Sequence, residues 1–207
     1  MSLIVVGGHS RNVGKTSVVV GLIAALREYE WTAAKITQYG HGICSANGKV
    51  CHCATSEHSW AISEERDRSG ESDTSRFLLA GAAKVLWVRT EQGRLAQAMP
   101  ALQAKIKDAR HVIFESNSVL EFVTPNLYLT VLDPTNADFK KSAREFLDRA
   151  DAVILHGEGD AEAVWPAASL NRSNIKQAIF RIIPPPYTTP EIVDFVRRSV
   201  TEKVSPS

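Results

Sequence analysis

A lysine followed by two hydroxyl residues, Lys15-Thr16-Ser17, stands directly behind a loop that holds Gly8 and Gly14 and ahead of an apolar run. These residue types in this order suit polyphosphate chemistry. Backbone N–H groups from Gly8, His9, Asn12, Val13 and Gly14 can converge on an anion. Lys15 can reach the β- and γ-phosphates, and the Thr16 hydroxyl can serve Mg²⁺, with Ser17 beside it. Gly14 lets the main chain approach where a Cβ would collide. The strict spacing G-x-x-x-x-G-K-[ST] would put glycine at position 9; His9 stands there and the preceding glycine is Gly8, so the phosphate-binding loop is one residue longer. Arg11, inside the loop, is placed to stabilise charge on a γ-phosphate, and with Lys15 and Glu115 it makes up the expected catalytic set.

Glu115 closes the apolar stretch Arg110-His-Val-Ile-Phe-Glu-Ser116, where a carboxylate can hold a magnesium-bound water against the phosphates. Asp73 is a second Mg²⁺ candidate, reaching in from a loop, though capping of the next helix would also account for it. Thr16, Asp73 and Glu115 are thus the expected Mg²⁺ set. Farther along, Asp148-Arg-Ala-Asp-Ala-Val-Ile-Leu-His156-Gly-Glu-Gly-Asp160 sits where guanine-specific P-loop proteins carry ADxxVINKxD, with His156-Gly157 in place of Asn-Lys. His156 is therefore a candidate nucleotide contact.

His41, Cys44, Cys51 and Cys53 form the hooks H-x-x-C and C-x-C, four donors suited to tetrahedral Zn²⁺, with His52 and His58 as rival fourth ligands. A metal there would order a loop that lacks a hydrophobic pattern. Three unrelated loop cysteines are the alternative. Their odd number and close clustering argue against a disulfide framework.

The elements that must position these residues alternate between strand and helix. Leu3 to Gly8 is an apolar strand, and Val19, Val20, Ile23 and Leu26 recur at helical spacing over Thr16 to Glu28. Strands follow at Thr32–Thr37, Lys84–Arg89, Arg110–Ser116, Leu127–Asp133, Ala152–His156 and Gln177–Ile182. Helices are expected over Thr74–Ala83 with Asp73 as N-cap, Gln92–Lys107 despite Pro100, Ala137–Arg149 and Pro190–Val200. Periodicity disappears from Gln38 to about Asp73, a stretch too long for an ordinary connection. The pattern predicts one α/β domain over 1–207, with a mostly parallel sheet of about seven strands, helices on both faces in three layers, and a loop insertion at about 38–72. In such sheets ligands sit at the carboxyl ends of the strands.

The chain has 207 residues, 44% of them hydrophobic and 23% charged, with net charge +1. That is the composition of a globular domain, and the balance points to neither nucleic acid nor a membrane surface. No run approaches the roughly 18 apolar residues of a membrane span, and a cytoplasmic location is expected.

With these residues in view, the chain resembles the P-loop class that holds the signal-recognition GTPases, septum-site ATPases, dethiobiotin synthetase and nickel-insertion GTPases. Dethiobiotin synthetase has the longer loop. The nearest resemblance is to the molybdopterin-guanine dinucleotide biosynthesis adaptor (MobB-type) family, whose P-loop is followed by VAxIKHxxH and then DxPGKDSxxxxxAGA. Thr32-Ala-Ala-Lys-Ile-Thr-Gln-Tyr-Gly-His41 echoes the former. Asp67-Arg-Ser-Gly-Glu-Ser-Asp73-Thr-Ser-Arg-Phe-Leu-Leu-Ala-Gly-Ala82 matches the latter. The family continues its fourth strand as VEGFK, where this chain has Phe114-Glu-Ser-Asn-Ser118, and the cysteine hooks are an insertion relative to that pattern.

The resemblance implies nucleotide and Mg²⁺ roles for Lys15, Thr16, Asp73 and Glu115, and lets Lys35 meet phosphate or a bound substrate. It implies GTP or ATP as ligand, slow Mg²⁺-dependent hydrolysis, a homodimer, and an adaptor or switch role beside a partner enzyme of cofactor or metal-centre assembly. Two alternatives stand: an ATP-dependent ligase or kinase like dethiobiotin synthetase, and a metallochaperone NTPase that uses the cysteine hooks.

Overall fold

The computed structural model describes residues 1–39, 59–157 and 178–202. In strand β1 (Ser2–Gly8) alternate side chains part to opposite faces, as a strand's period of two requires. Ile4 and Val6 enter one core layer, while Leu3 and Val5 enter the other. Both faces are apolar because both are covered, which explains the continuous apolar reading of this strand.

The remaining elements are α1 (Lys15–Ala25), β2 (Thr32–Tyr39), β3 (Trp60–Glu64), α2 (Asp73–Ala80), β4 (Lys84–Glu91), α3 (Leu95–Ile106), β5 (His111–Glu115), β6 (Leu127–Leu132), α4 (Lys141–Phe146), β7 (Ala152–His156), β8 (Ala178–Ile182) and α5 (Pro190–Glu202). Among the described residues eight strands form one sheet in the order β3-β4-β2-β5-β1-β6-β7-β8. Every pairing is parallel except that of β3 with β4. Val18, Leu22, Phe77, Ile192 and Val196 bring α1, α2 and α5 onto one face. Leu95, Leu102 and Phe146 bring α3 and α4 onto the other, where Leu132, Phe139 and Leu147 close a smaller cluster. This is a three-layer α/β architecture built on a mostly parallel sheet. No helix among the described residues is long and apolar enough to cross a membrane.

The sheet has one strand more than the seven expected. The extra strand is β3, inside the stretch without helical periodicity. It runs antiparallel on β4 with Trp60 opposite Thr90 and Ile62 opposite Val88, and Trp60 and Ile62 pack on the α3 side. It pairs with a strand that comes later in the chain, so its partner leaves no local trace.

Several helix ends also differ from expectation. The cap of α2 is Ser72, not Asp73: its hydroxyl accepts from the Ser75 N–H while the Ser75 hydroxyl accepts from the Ser72 N–H, a reciprocal capping box. Asp73 is thereby the first helical residue, with its carboxylate free to face the sheet's carboxyl edge. The same helix stops at Ala80, short of Ala83, because Gly81 takes up the left-handed conformation at φ 112°. Helix α1 ends at Ala25, and the Leu26 carbonyl accepts from the indole N–H of buried Trp31 at 2.9 Å. Residues 137–140 stay out of α4 because Asp133 and Asn136 take up the backbone N–H groups of Thr135 and Asp138.

Candidate nucleotide site

The loop from Gly8 to Gly14 leaves the carboxyl end of β1 at the centre of the sheet. It enters α1 through Gly14, whose φ of +86° suits glycine. The loop's far wall comes from β5. Asn117 donates its Nδ2–H to the Gly8 carbonyl at 2.8 Å and accepts the Gly8 N–H on Oδ1 at 2.9 Å, gripping the first glycine from both sides. A Cβ on Gly7 would lie 2.1 Å from the Asn117 Oδ1, so the preceding glycine is needed for this approach.

A cleft of about 800 Å³ opens above these strand ends. The loop residues Gly8, Arg11, Asn12, Gly14, Lys15, Thr16 and Ser17 line it, together with Lys35, Asp73 and Glu115. Four groups converge there. The Thr16 hydroxyl donates to Glu115 Oε2 at 2.8 Å, and the Lys35 ammonium donates to Glu115 Oε1 at 2.8 Å. Lys35 also donates to Asp73 and lies 3.4 Å from the Thr16 Oγ1. Sheet register makes this possible, because Lys35 on β2 is the partner of Glu115 on β5. Glu115 is only 5% exposed, so its charge depends on such neighbours. On α2, Arg76 donates to the Ser17 hydroxyl at 3.1 Å and lies 3.8 Å from Asp73.

Cations crowd this cleft. Burial pushes the Lys15 ammonium down to about 8, with Glu115 opposing the shift and Lys140 and Lys35 adding to it. Its Nζ donates to the Ser10 carbonyl. Burial would also lower Lys35, but the carboxylates of Glu115 and Asp73 override it and raise that ammonium above its ordinary range. Arg11 lines the cleft and makes no ion pair among the described residues.

The other expected residues face elsewhere. Val13 is buried in the α1 layer. His9 is fully buried and ties the loop to the segment after β6. Its Nδ1 lies 2.7 Å from the Asp138 carbonyl, to which it must donate, and its Nε2 accepts the Asp133 N–H at 3.0 Å. Its backbone makes two more bonds there, donating to the Val131 carbonyl and accepting from the Lys140 N–H. Burial holds this imidazole below its usual value. His9 therefore braces the loop from beneath and does not line the cleft. His156 ends β7, with its Nδ1 3.9 Å from an Asp133 oxygen and its ring against Tyr187. Both rings abut Gly14: a Cβ there would lie 2.5 Å from Tyr187 and 3.0 Å from His156. The His156 Nε2 is buried without a hydrogen-bond partner among the described residues. His41, Cys44, Cys51 and Cys53, with His52, His58 and Asp160, lie outside the described residues.

Sequence reasoning missed Asn117, Lys140 and Tyr187. Asn117 comes two residues after the strand-end Glu115, and Tyr187 follows three prolines just ahead of α5. Either signal is legible only once the strand ends are known to meet.

The donors fit Mg²⁺. A hydroxyl and two carboxylates already surround one cation, the Lys35 ammonium, and hard oxygen donors of this kind, completed by waters and phosphate, are what Mg²⁺ takes. Among the described residues no group of three or more His, Cys, Asp or Glu side chains converges to hold a metal without such help.

No family model and no curated protein matches this chain. Solved structures do. LpxK from Aquifex aeolicus in complex with ATP is 18% identical, with 87% of this chain and 53% of that one covered and a TM-score of 0.48. FlhF complexed with GMPPNP and Mg²⁺ is 14% identical, with 96% and 74% covered and a TM-score of 0.49. HypB from Helicobacter pylori in complex with nickel is 14% identical, with 100% and 91% covered and a TM-score of 0.46. The chain spans about half the length of the LpxK structure that it matches.

Proposed function

We propose that this protein binds a purine nucleoside triphosphate with Mg²⁺ at the cleft above β1 and hydrolyses it slowly. The convergence of Thr16, Lys35, Asp73 and Glu115 beside the Lys15 loop carries this reading. Loop N–H groups and Lys15 would hold the phosphates, Thr16, Asp73 and Glu115 would hold Mg²⁺, and Arg11 would face developing charge at the γ-phosphate. When bound, Mg²⁺ neutralises and orients the phosphate oxygens. The Tyr187 ring, which lines the cleft beside Gly14, offers a face for the base.

The match of Asp67 to Ala82 with the MobB-type pattern supports an adaptor or switch role in cofactor or metal-centre assembly, working as a homodimer with a partner enzyme. In that setting Zn²⁺ on His41, Cys44, Cys51 and Cys53 would serve structure, or delivery if the protein is a metallochaperone. One observation favours the ligase or kinase reading instead. The cleft continues past Lys35 to Gln38, Gln92, Glu121 and Phe122, which leaves room for a second small substrate.

Calorimetry with ATP and GTP, each with Mg²⁺, on the wild type and Lys15→Ala tests the central claim. Wild type binds at least one of them, and the variant loses on the order of tenfold or more in affinity. Absence of binding to both in the wild type refutes it.

A further inference from the structure

Lys140 lies outside the phosphate loop, in the segment between β6 and α4, yet its side chain lines the same cleft. Its position is fixed by its backbone, since the Lys140 N–H donates to the His9 carbonyl at 2.9 Å. His9 is itself fastened to this segment by ring bonds to Asp138 and Asp133, so the Lys140 Cα and the phosphate loop behave as one piece. Phe139 packs on the His9 ring with centroids 5.4 Å apart, which anchors the residue before Lys140 in the core.

The ammonium at the end of this fixed stem makes no hydrogen bond or ion pair among the described residues. It is half-buried, and the charges that face it are Arg11 and Lys35, with Asp138 opposing them. Lys15 in turn feels Lys140 and Lys35. Arg11, Lys15, Lys35 and Lys140 thus act on one another in this cleft, and Lys35 already engages the carboxylates of Asp73 and Glu115. Holding an unpaired ammonium in such company costs free energy in the empty protein. An added polyanion with several oxygens reverses that sign. Lys15 is committed by the loop to the β–γ region. Lys140 lies within electrostatic reach of both Lys15 and Lys35, so the oxygens it meets are those at the terminal end of a bound triphosphate.

We infer that Lys140 is the residue by which this site distinguishes a nucleoside triphosphate from the diphosphate, its ammonium meeting the γ-phosphate from the segment after β6. This rests on the nucleotide-binding reading above and adds to it a phosphate sensor that the loop sequence does not contain. Because the sensor and the loop are joined through His9, contact with the γ-phosphate bears directly on the start of α4.

The test compares affinities for the β,γ-imido triphosphates and the diphosphates of adenosine and guanosine, all with Mg²⁺, in wild type, Lys140→Met, Lys140→Arg and Lys141→Met. In the wild type the triphosphate analogue binds more tightly than the diphosphate. Lys140→Met lowers that ratio by roughly tenfold to a hundredfold with diphosphate affinity little changed, as loss of one charged hydrogen bond predicts. Lys140→Arg keeps most of the ratio, and Lys141→Met keeps all of it. Thermal unfolding without nucleotide confirms that each variant folds. If Lys140→Met weakens both ligands equally or neither, or if Lys141→Met acts as strongly, the assignment of Lys140 is overturned while nucleotide binding stands. If wild type binds no nucleotide, both fall together.

Discussion

Lys35 and Glu115 are register partners on the adjacent parallel strands β2 and β5, and their side chains meet at 2.8 Å above the sheet's carboxyl edge. Backbone pairing therefore sets this ion pair. Lys35→Met would leave the buried Glu115 carboxylate without its counterion, at a cost of about 3 kcal/mol, while Asp73 is exposed enough for water to take over. Urea denaturation at neutral pH checks this. The double variant Lys35→Met/Glu115→Gln recovers most of the loss, and a Lys35→Met protein as stable as wild type contradicts the dependence.

Under the proposed nucleotide binding, Lys15 makes the affinity depend on pH. In the free protein its ammonium is half deprotonated at about pH 8, and a bound polyphosphate favours the protonated form. Binding therefore takes up a proton above pH 8, and affinity falls as pH rises from there, by up to about tenfold per unit until the pKa of the bound form is reached. Calorimetry in buffers of different ionisation enthalpy reads the proton directly. A pH-independent affinity between pH 7 and 9.5 would rule this out.

His9 predicts acid sensitivity of the fold. Its folded-state pKa lies below the ordinary 6.5, so the unfolded chain binds the proton more readily. The stability it contributes is complete above about pH 6.5 and is lost as pH falls from there through the folded value. The structural cause is specific, since a protonated Nε2 can no longer accept the Asp133 N–H. His111 and His156 are shifted in the same direction by burial and add to the trend. Melting temperatures of wild type and His9→Gln between pH 5 and 7.5 should converge toward the acid end.

Asn117→Ala removes both bonds to Gly8. Each is worth about 0.5–1.5 kcal/mol net, so a loss of roughly 1–3 kcal/mol is expected, with weaker nucleotide binding because the loop loses its grip on β5. Asn117→Asp keeps the acceptor but not the donor, and falls between. Equal affinity in all three proteins would show that the loop keeps its shape without Asn117.

Gly14→Ala combines backbone strain at φ +86° with a Cβ that would overlap the Tyr187 ring. The strain alone costs on the order of 1–3 kcal/mol. Adding Tyr187→Ala relieves the overlap but not the strain, so the double variant recovers part of the stability and little of the binding.

Most of the architecture was legible because it is written in local pattern. Apolar runs such as Ile4 to Val6, the helical spacing of Val19 to Leu26 and the Gly14-Lys15-Thr16 turn each specify their own conformation. Strand β3 was not legible, because Trp60 and Ile62 acquire meaning only against Thr90 and Val88. The site divides in the same way. Lys15 and Thr16 announce themselves by spacing, and Asp73 and Glu115 by their place after or between elements. Asn117, Lys140 and Tyr187 are ordinary loop residues until strand order sets β5 and β6 on either side of β1, with β7 and β8 beyond β6. His9 illustrates the converse: its place in the loop suggested a ligand contact, whereas its ring is turned into the protein and serves as a brace.

The two ends of the segment 40–58 are held side by side. The Gln92 N–H donates to the Tyr39 carbonyl at 2.8 Å, and the Glu91 N–H donates to the Ser59 carbonyl at 2.8 Å, so consecutive residues at the end of β4 secure both its exit and its return. The sheet thus bears the cost of closing that loop independently of what the loop contains. Tyr39 and Ser59 are thus anchored on consecutive residues of one strand end, where Gln92 also lines the cleft.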